Sequence, residues 1–175
     1  MGRKTTSGSI RKIAFMGLLF ATAMVLSFLE SMLPVLPMLP PGVKLGLSNI
    51  VTMYALFTLG VGPGFTIAVL KSLFVFLIRG ALASALSLAG GVTALCLMLL
   101  LGLLPGVRKN YLLLSIFGAV GHNVGQVLLA AVLLQNRYFL ATLPLLVLSG
   151  VGMGVVTGLT LRAVMPYINR LKFNF

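Results

Sequence analysis

The chain is dominated by apolar stretches, most of them long enough to cross a lipid bilayer. About twenty consecutive apolar residues mark a membrane-spanning helix, because a helix satisfies its backbone hydrogen bonds internally where no water is present. Hydrophobic residues make up 59% of the 175 residues and charged residues only 8%. That composition leaves too little polar surface to cover a water-soluble globule of this size. We therefore expect an all-α integral membrane protein.

The apolar stretches predict six transmembrane helices within a single membrane domain over residues 1–175. The second and third predicted helices form a hairpin, since only Gly60-Val61-Gly62-Pro63 separates them. The first apolar stretch exceeds the usual core of a signal peptide and is expected to be retained as a helix. The predicted helices cover approximately residues 10–32, 45–59, 64–78, 82–104, 111–134 and 139–165.

Basic residues occur mainly at three places along the chain. They precede the first helix (Arg3, Lys4, Arg11 and Lys12), lie between the fourth and fifth helices (Arg108 and Lys109), and follow or end the sixth (Arg162, Arg170 and Lys172). The positive-inside rule assigns these places, and with them both termini, to the cytoplasm. The net charge of +12 does not indicate nucleic acid binding, because no basic patch interleaved with aromatic residues accompanies it.

Acidic residues are almost absent, since Glu30 is the only Asp or Glu. Hydrolases, Mg-dependent transferases and proton-driven carriers usually need at least two carboxylates. With one His and one Cys, the chain also lacks the ligands for a metal site, and Cys96 is predicted to be a small buried core residue. We predict no catalytic residue, no metal and no cofactor.

Polar residues from several predicted helices fall at similar depths, mostly in the outer half of the membrane. Because a polar side chain in lipid is costly unless it is paired, this grouping predicts one hydrated pocket that opens outward. Alternatively, individual polar residues form structural hydrogen bonds between helices, and Arg79 extends toward lipid headgroups. The predicted substrate-binding residues are Lys44, Asn49, Arg79, Ser84, Ser87, His122, Asn123 and Gln126.

The fifth predicted helix carries the densest polar motif, His122-Asn123-Val124-Gly125-Gln126. Spacings of three and four residues place His122, Asn123 and Gln126 on one sector of the helix. Gly121 and Gly125 form a small-residue stripe beside them that suits close helix packing. The motif predicts part of a binding pocket, or else an internally satisfied polar network.

Lys71 lies inside the third predicted helix, and the sequence leaves its role open. It could face the pocket, pair with Glu30 or cap backbone carbonyl groups. Cations in the outer half outnumber the single carboxylate, which favours an anionic or carbonyl-rich ligand.

Residues 33–44 contain four prolines but remain apolar, and they are predicted to form an external lid or, alternatively, a rigid connecting strap. Small residues align along two helices, as Gly17-x-x-x-Ala21 in the first and Gly150-x-x-x-Gly154-x-x-x-Gly158 in the sixth. Such stripes let another helix approach closely. For the sixth helix we expect an internal partner, whereas the first fits either an internal helix or a separate membrane protein.

Three runs carry a family resemblance: residues 41–51 (PGVKLGLSNIV), 87–91 (SLAGG) and 122–126 (HNVGQ). They resemble the Gx transporter family, widely labelled heptaprenyl diphosphate synthase component I, over residues 10–168. That family is similar to the substrate-binding S components of energy-coupling-factor (ECF) vitamin transporters of prokaryotic cytoplasmic membranes. The resemblance implies an S-component-like bundle with a lidded outward pocket. It also implies that the stripe on the first helix, here Gly17 and Ala21, meets the transmembrane T component.

The sequence-based hypothesis is thus a non-enzymatic membrane protein that captures a small, anionic molecule for import. The ligand is expected to be a vitamin, an isoprenoid or a quinone precursor. ATP use must come from a separate ATPase, because no Gly-x-x-x-x-Gly-Lys-Ser/Thr phosphate loop is present. The alternative is a non-catalytic membrane subunit associated with isoprenoid or quinone biosynthesis. Prenyl elongation by the chain itself is excluded by the absence of Asp for Mg binding.

Overall fold

The structure, a computed structural model, describes residues 3–32, 47–107 and 110–170. Within these residues all regular secondary structure is helical, without a β-strand. It forms α1 (Arg3–Met32), α2 (Asn49–Leu59), α3 (Val61–Gly102), α4 (Tyr111–Leu133), a short 3-10 helix (Arg137–Thr142) and α5 (Leu143–Arg170).

Four helical stretches of the described residues are apolar and long enough to cross a membrane: Ile10–Met32, Val61–Gly102, Tyr111–Leu133 and Arg137–Ala163. The chain is therefore a multi-pass membrane protein. By contrast, α2 has 11 residues and a length of about 16 Å at 1.5 Å per residue, roughly half the hydrocarbon thickness. One end of α2 therefore lies within the bundle rather than at its surface.

The long helix α3 reverses direction at Gly80, whose φ of 83° and ψ of −178° are not helical. Glycine suits this position because a residue with a Cβ atom would be strained at such a φ. Contacts between the two halves pair Gly64 with Leu95 and Gly91 with Ala68. The order of these pairs is that of an antiparallel hairpin, so residues 61–79 and 81–102 form two adjacent segments.

Helix α4 lies between the second segment of α3 and α5. Close approach on the α5 side depends on Gly150, Gly154 and Gly158, where an added Cβ would meet atoms of Val120, Ile116 and Leu112. On the α3 side, Gly121 and Gly125 lie against Leu97 and Thr93. Glycines at the α3–α4 and α4–α5 interfaces thus let α4 approach both neighbouring helices closely. The internal partner of the small-residue stripe on α5 is α4.

The apolar core consists of three clusters of buried side chains. The largest brings together α2, both segments of α3 and α5 through residues such as Met53, Leu95 and Leu161. A second cluster joins Leu86, Val127 and Leu146 near the Gly80 end of the hairpin, and a third packs α1 against α2 and α3. The elements are therefore held mainly by packing among α2–α5, with α1 along one side.

The predicted helix bounds differ from the structure at several points. The break predicted between residues 78 and 82 is reduced to one non-helical residue, Gly80, so the two predicted helices are the two segments of α3. The predicted start at residue 139 falls within the 3-10 helix; α1 begins seven residues before its predicted start, and α5 ends five residues after its predicted end. Residues 45–46 and the proposed lid, residues 33–44, lie outside the described residues. Hydropathy marks apolar length, whereas helix ends also depend on caps and neighbouring contacts.

The prediction that Cys96 is buried in the core is wrong. Cys96 is an exposed free cysteine on the second segment of α3. Residues on either side of it along the sequence, Ala94, Leu95 and Met98, are buried instead. An apolar residue on a membrane helix can face lipid as readily as the core, so apolarity alone does not determine which side it occupies.

Candidate substrate-binding site

The centre of the candidate site is a buried lysine inside the hairpin. Lys71, on the first segment of α3, is 1% exposed and is one of the largest fully buried side chains among the described residues. Its Nζ donates a hydrogen bond of 2.6 Å to Oδ1 of Asn49, the first residue of α2. A buried ammonium group needs such partners because transfer from water into the interior is costly. Asn49 is itself buried.

A second polar pair lies on α4. Nε2 of His122 and Nε2 of Gln126 are 2.6 Å apart, and both side chains are buried. The spacing of four residues places them on the same side of the helix, as the sequence predicted. The α4 pair packs against Gly90, and the adjacent Gly91 contacts Ala68, three residues before Lys71. The two polar pairs therefore belong to one cluster contributed by α2, α3 and α4.

The α4 pair fits against the backbone of Gly90 on the second segment of α3. A Cβ atom added at Gly90 would lie 2.6 Å from Nδ1 of His122 and 2.9 Å from Cγ of Gln126. Both distances are well below normal van der Waals separation. Gly90 therefore leaves the space that the imidazole and the glutamine side chain occupy. This space requirement explains why a glycine stands at this position of the Ser-Leu-Ala-Gly-Gly run.

We define the polar cluster as Asn49, Lys71, Gly90, His122 and Gln126. Its four side chains are at most 5% exposed, so the cluster is packed closed in this conformation. Its members offer one ammonium group, two amide groups and one imidazole. Such a set can bind a negative group and hydrogen-bond a polar substituent beside it.

Asn123 does not join this cluster, although it is adjacent in sequence to His122. Its Nδ2 donates to the backbone oxygen of Leu146 at 2.8 Å and lies 3.4 Å from Oγ of Ser149, both on α5. Its Oδ1 is buried without a hydrogen-bond partner in the described part of the chain. The structure thus places Asn123 at the α4–α5 interface, where it connects two helices.

The two predicted serines lie on the second segment of α3. Oγ of Ser84 donates to the backbone oxygen of Ser72 at 2.8 Å, across the turn at Gly80. This bond stabilises the hairpin. Ser87 is half-buried and lies three residues before Gly90, so it shares a helix face with the cluster.

Arg79 directly precedes the turn at Gly80 and is half-buried, with Nη1 inaccessible and without a hydrogen bond to a described residue. It lies at the end of the segment that carries Lys71, and no contact between it and the cluster is observed among the described residues. Lys44, the remaining predicted site residue, lies outside the described residues.

Sequence reasoning did not include Lys71 and Gly90 among the predicted binding residues. The signal for Lys71 was its position as a lysine near the centre of an apolar helix, since such residues usually mark functional sites. For Gly90, the signal was a glycine pair in the middle of a helix, where glycine is unfavourable unless packing requires it.

The predicted partner-binding residues lie on the outer side of α1. Gly17 and Ala21 are exposed, and a Cβ added to Gly17 would have no heavy atom within 4 Å. The stripe is therefore open to the surroundings of the bundle, rather than used against an internal helix.

A cavity of about 820 Å³ lies at the opposite end of α2 from Asn49. It is lined mainly by apolar side chains of the α2–α3 turn and the end of α3, including Phe57, Leu59 and Leu103, with Tyr111 of α4. None of the polar cluster lines it. The molecule therefore has a polar end and an apolar end along the same short helix.

A sequence family model described as heptaprenyl diphosphate synthase component I matches residues 19–164, most of the chain. The chain belongs to this family. The match includes α2 to α4 and thus every described residue of the polar cluster. No curated protein matches the chain significantly.

Among solved structures, the S component of a bacterial ECF transporter has a similar fold. The TM-score is 0.62 at 21% sequence identity, and the alignment covers 95% of this chain and 98% of that one. The family member described here therefore has an S-component-like fold over nearly its whole length, as its sequence predicted.

Proposed function

We propose that this chain is the substrate-binding membrane component of an ECF-type importer. It captures a small anionic molecule, of the vitamin, isoprenoid or quinone-precursor class, from outside a prokaryotic cell. The observation that carries the proposal is the fold shared with an S component, because the alignment covers both chains almost completely.

The polar cluster supports a binding role. Helices α2, α3 and α4 contribute its side chains, which are all buried. Its charged residue, Lys71, is a cation, and the chain contains a single acidic residue. An anionic ligand would compensate that charge, whereas a cationic ligand would be repelled. Together with Lys44 and Arg79 on the same proposed outer side, the cluster favours negative ligands.

Because the cluster is packed closed, ligand access requires helices to separate. Helices α2 and α4 contribute different sides of the cluster, yet they touch each other little: α2 packs mainly on α3, whereas α4 packs on both α5 and α3. Moving the short helix α2 away from α4 would therefore expose Lys71 and His122 while the α3–α4–α5 packing stays intact. The lid over residues 33–44 that the sequence predicts lies shortly before α2 in the chain.

Energy for import must come from partners, as the sequence contains no phosphate-binding loop. We propose that the exposed stripe at Gly17 and Ala21 meets a T component, which in turn binds ATPase subunits. A stripe of small residues suits this contact because it lets a partner helix approach α1 closely within lipid. The protein would act in the cytoplasmic membrane, with both termini in the cytoplasm.

The family description supports a second candidate: a non-catalytic membrane subunit associated with heptaprenyl diphosphate or quinone biosynthesis. The chain has no Asp and thus cannot supply the Asp-rich Mg sites of prenyl elongation. In that role the chain would bind an isoprenoid or a soluble synthase without carrying out the chemistry.

Native mass spectrometry of the detergent-purified chain tests the two functions. We expect a co-purifying small anion, and Gln126→Ala should weaken its binding by about 1–3 kcal/mol through loss of a buried hydrogen-bonding partner. Asn123, also predicted from the sequence to bind substrate, contacts α5 instead; Asn123→Ala is therefore the comparison and should weaken binding less. Co-purification of T-component and ATPase subunits supports import. Capture of a prenyl synthase alone, with no small anion, favours the accessory role instead.

A further inference from the structure

We propose that Lys71 is the anion-binding residue of the polar cluster and that Asn49 competes with the ligand for its ammonium group. The proposal rests on the substrate-binding function above and names the ligand chemistry: an oxyanion, either carboxylate or phosphate. Neither residue's role follows from the fold similarity, because 21% identity to the S component carries no residue assignment.

The first argument is the charge of Lys71. Its side chain is 1% exposed within a membrane-embedded hairpin, and its Nζ is held by the neutral amide oxygen of Asn49 at 2.6 Å. An oxyanion forms a stronger, charge-assisted bond to an ammonium group than an amide oxygen does. A ligand carboxylate or phosphate can therefore displace Asn49 Oδ1 from Nζ with a net gain.

The second argument is charge balance. Glu30 is the only carboxylate side chain of the sequence and is buried on α1. A single carboxylate cannot neutralise both Lys71 and the half-buried Arg79. Whatever Glu30 contacts, this end of the bundle keeps an excess positive charge that a ligand anion would reduce.

The third argument is the position of Asn49 at the start of α2. The bond to Nζ comes from the Asn49 side chain, so rotation of that side chain alone can release Lys71 without breaking a backbone hydrogen bond of the helix. Withdrawal of the Asn49 side chain would free Nζ at the start of α2. His122 and Gln126, on α4, remain to hydrogen-bond the rest of the ligand.

Thermal unfolding of the full-length chain in detergent tests the proposal with sodium acetate and sodium phosphate as probes. Sodium chloride at matched ionic strength controls for screening, and acetamide serves as the neutral analogue of acetate. A ligand that binds the folded state raises the unfolding midpoint in a saturable way. We expect acetate or phosphate to do so, and chloride and acetamide not to. The anion with the lower half-saturation concentration identifies carboxylate or phosphate as the ligand group.

Three variants separate the roles of the two residues. Lys71→Gln should abolish the anion response. Asn49→Asp should raise the half-saturating anion concentration at least tenfold, because its carboxylate would pair with Lys71, whereas Asn49→Ala should lower that concentration about threefold by removing the competitor. Arg162→Gln, which removes a positive charge at an exposed position of α5, should respond like the unmodified chain.

An unchanged anion response in Lys71→Gln or Asn49→Asp would overturn the proposal, as would the absence of a saturable response in both the unmodified chain and Asn49→Ala. If Lys71→Gln does not fold, the opposite shifts of the two Asn49 variants decide the matter. Co-purification with T-component and ATPase subunits is a separate readout. Its failure would count against import, whereas an unchanged anion response in the variants would count against Lys71 alone.

Discussion

Helices α1 and α4 have membrane-spanning segments of equal length, 23 residues each, but they occupy different environments. Half of the residues in the most apolar stretch of α4 are buried, compared with 17% in α1. Helix α4 carries His122 and Gln126 toward α3 and Asn123 toward α5. Helix α1 instead leaves Gly17 and Ala21 exposed.

Small residues serve opposite purposes on the two helices. Around α4, glycines are already in contact with a neighbouring helix, so their small size is used within the fold. On α1, Gly17 has no neighbour within 4 Å, so its small size is available to a partner. A stripe of small residues can therefore serve either internal helix packing or binding of a partner protein. Which role applies depends on whether another helix of the same chain already covers the stripe.

Gly154→Ala should have the largest effect on stability, because the new Cβ would overlap backbone atoms of Ile116 on α4. Backbone cannot move aside as a flexible side chain can, so α5 must shift, at a cost of about 1–3 kcal/mol. We expect a lower unfolding midpoint in detergent. Gly152→Ala is the matched control on the same helix, where nothing lies within 4 Å. Equal midpoints for the two variants would contradict the close packing of α5 on α4.

Gly90→Ala should have the next largest effect and act mainly on binding. Its Cβ would displace His122 and Gln126 and break their contact, so we expect ligand affinity to fall at least tenfold, or about 1.4 kcal/mol. Gly91→Ala is the control, since its Cβ would meet Ala68 at an ordinary 3.4 Å. Titration of each variant with the co-purified anion measures the difference. If Gly91→Ala impaired binding as strongly, the steric role of Gly90 would be refuted.

Gly17→Leu should have the smallest effect on the isolated chain, with stability unchanged within about 0.5 kcal/mol, as is usual for surface substitutions. Its expected consequence is loss of assembly with the T component, measured by co-purification of the co-expressed subunits. Gly152→Leu adds the same bulk at an open position of α5 and should leave assembly intact. Retained assembly in Gly17→Leu would move the partner surface away from α1.

The sequence predicts where the chain is apolar much better than it predicts which way each helix faces. Hydropathy located the four helical stretches of the described residues that are long enough to cross a membrane, and the Gly80 region was correctly expected to interrupt the longest of them. The predicted number of six transmembrane helices remains a prediction. The spacing of His122 and Gln126 predicted their shared side. Rotation about each helix axis depends on long-range packing, which is why Cys96 was misplaced, Asn123 turned toward α5 and Lys71 proved central.

The reversal at Gly80 also bears on how the protein enters the bilayer. Its two segments are joined by a single non-helical residue, so almost no hydrophilic chain separates them. The pair carries two charged residues, Lys71 within the first segment and Arg79 next to the turn. The pair can therefore partition into lipid together as a preformed hairpin, with the Ser84–Ser72 bond already satisfied. The first segment alone would lack its close contacts with the second, Gly64 with Leu95 and Ala68 with Gly91, which favours release of both segments from the insertion machinery as one unit.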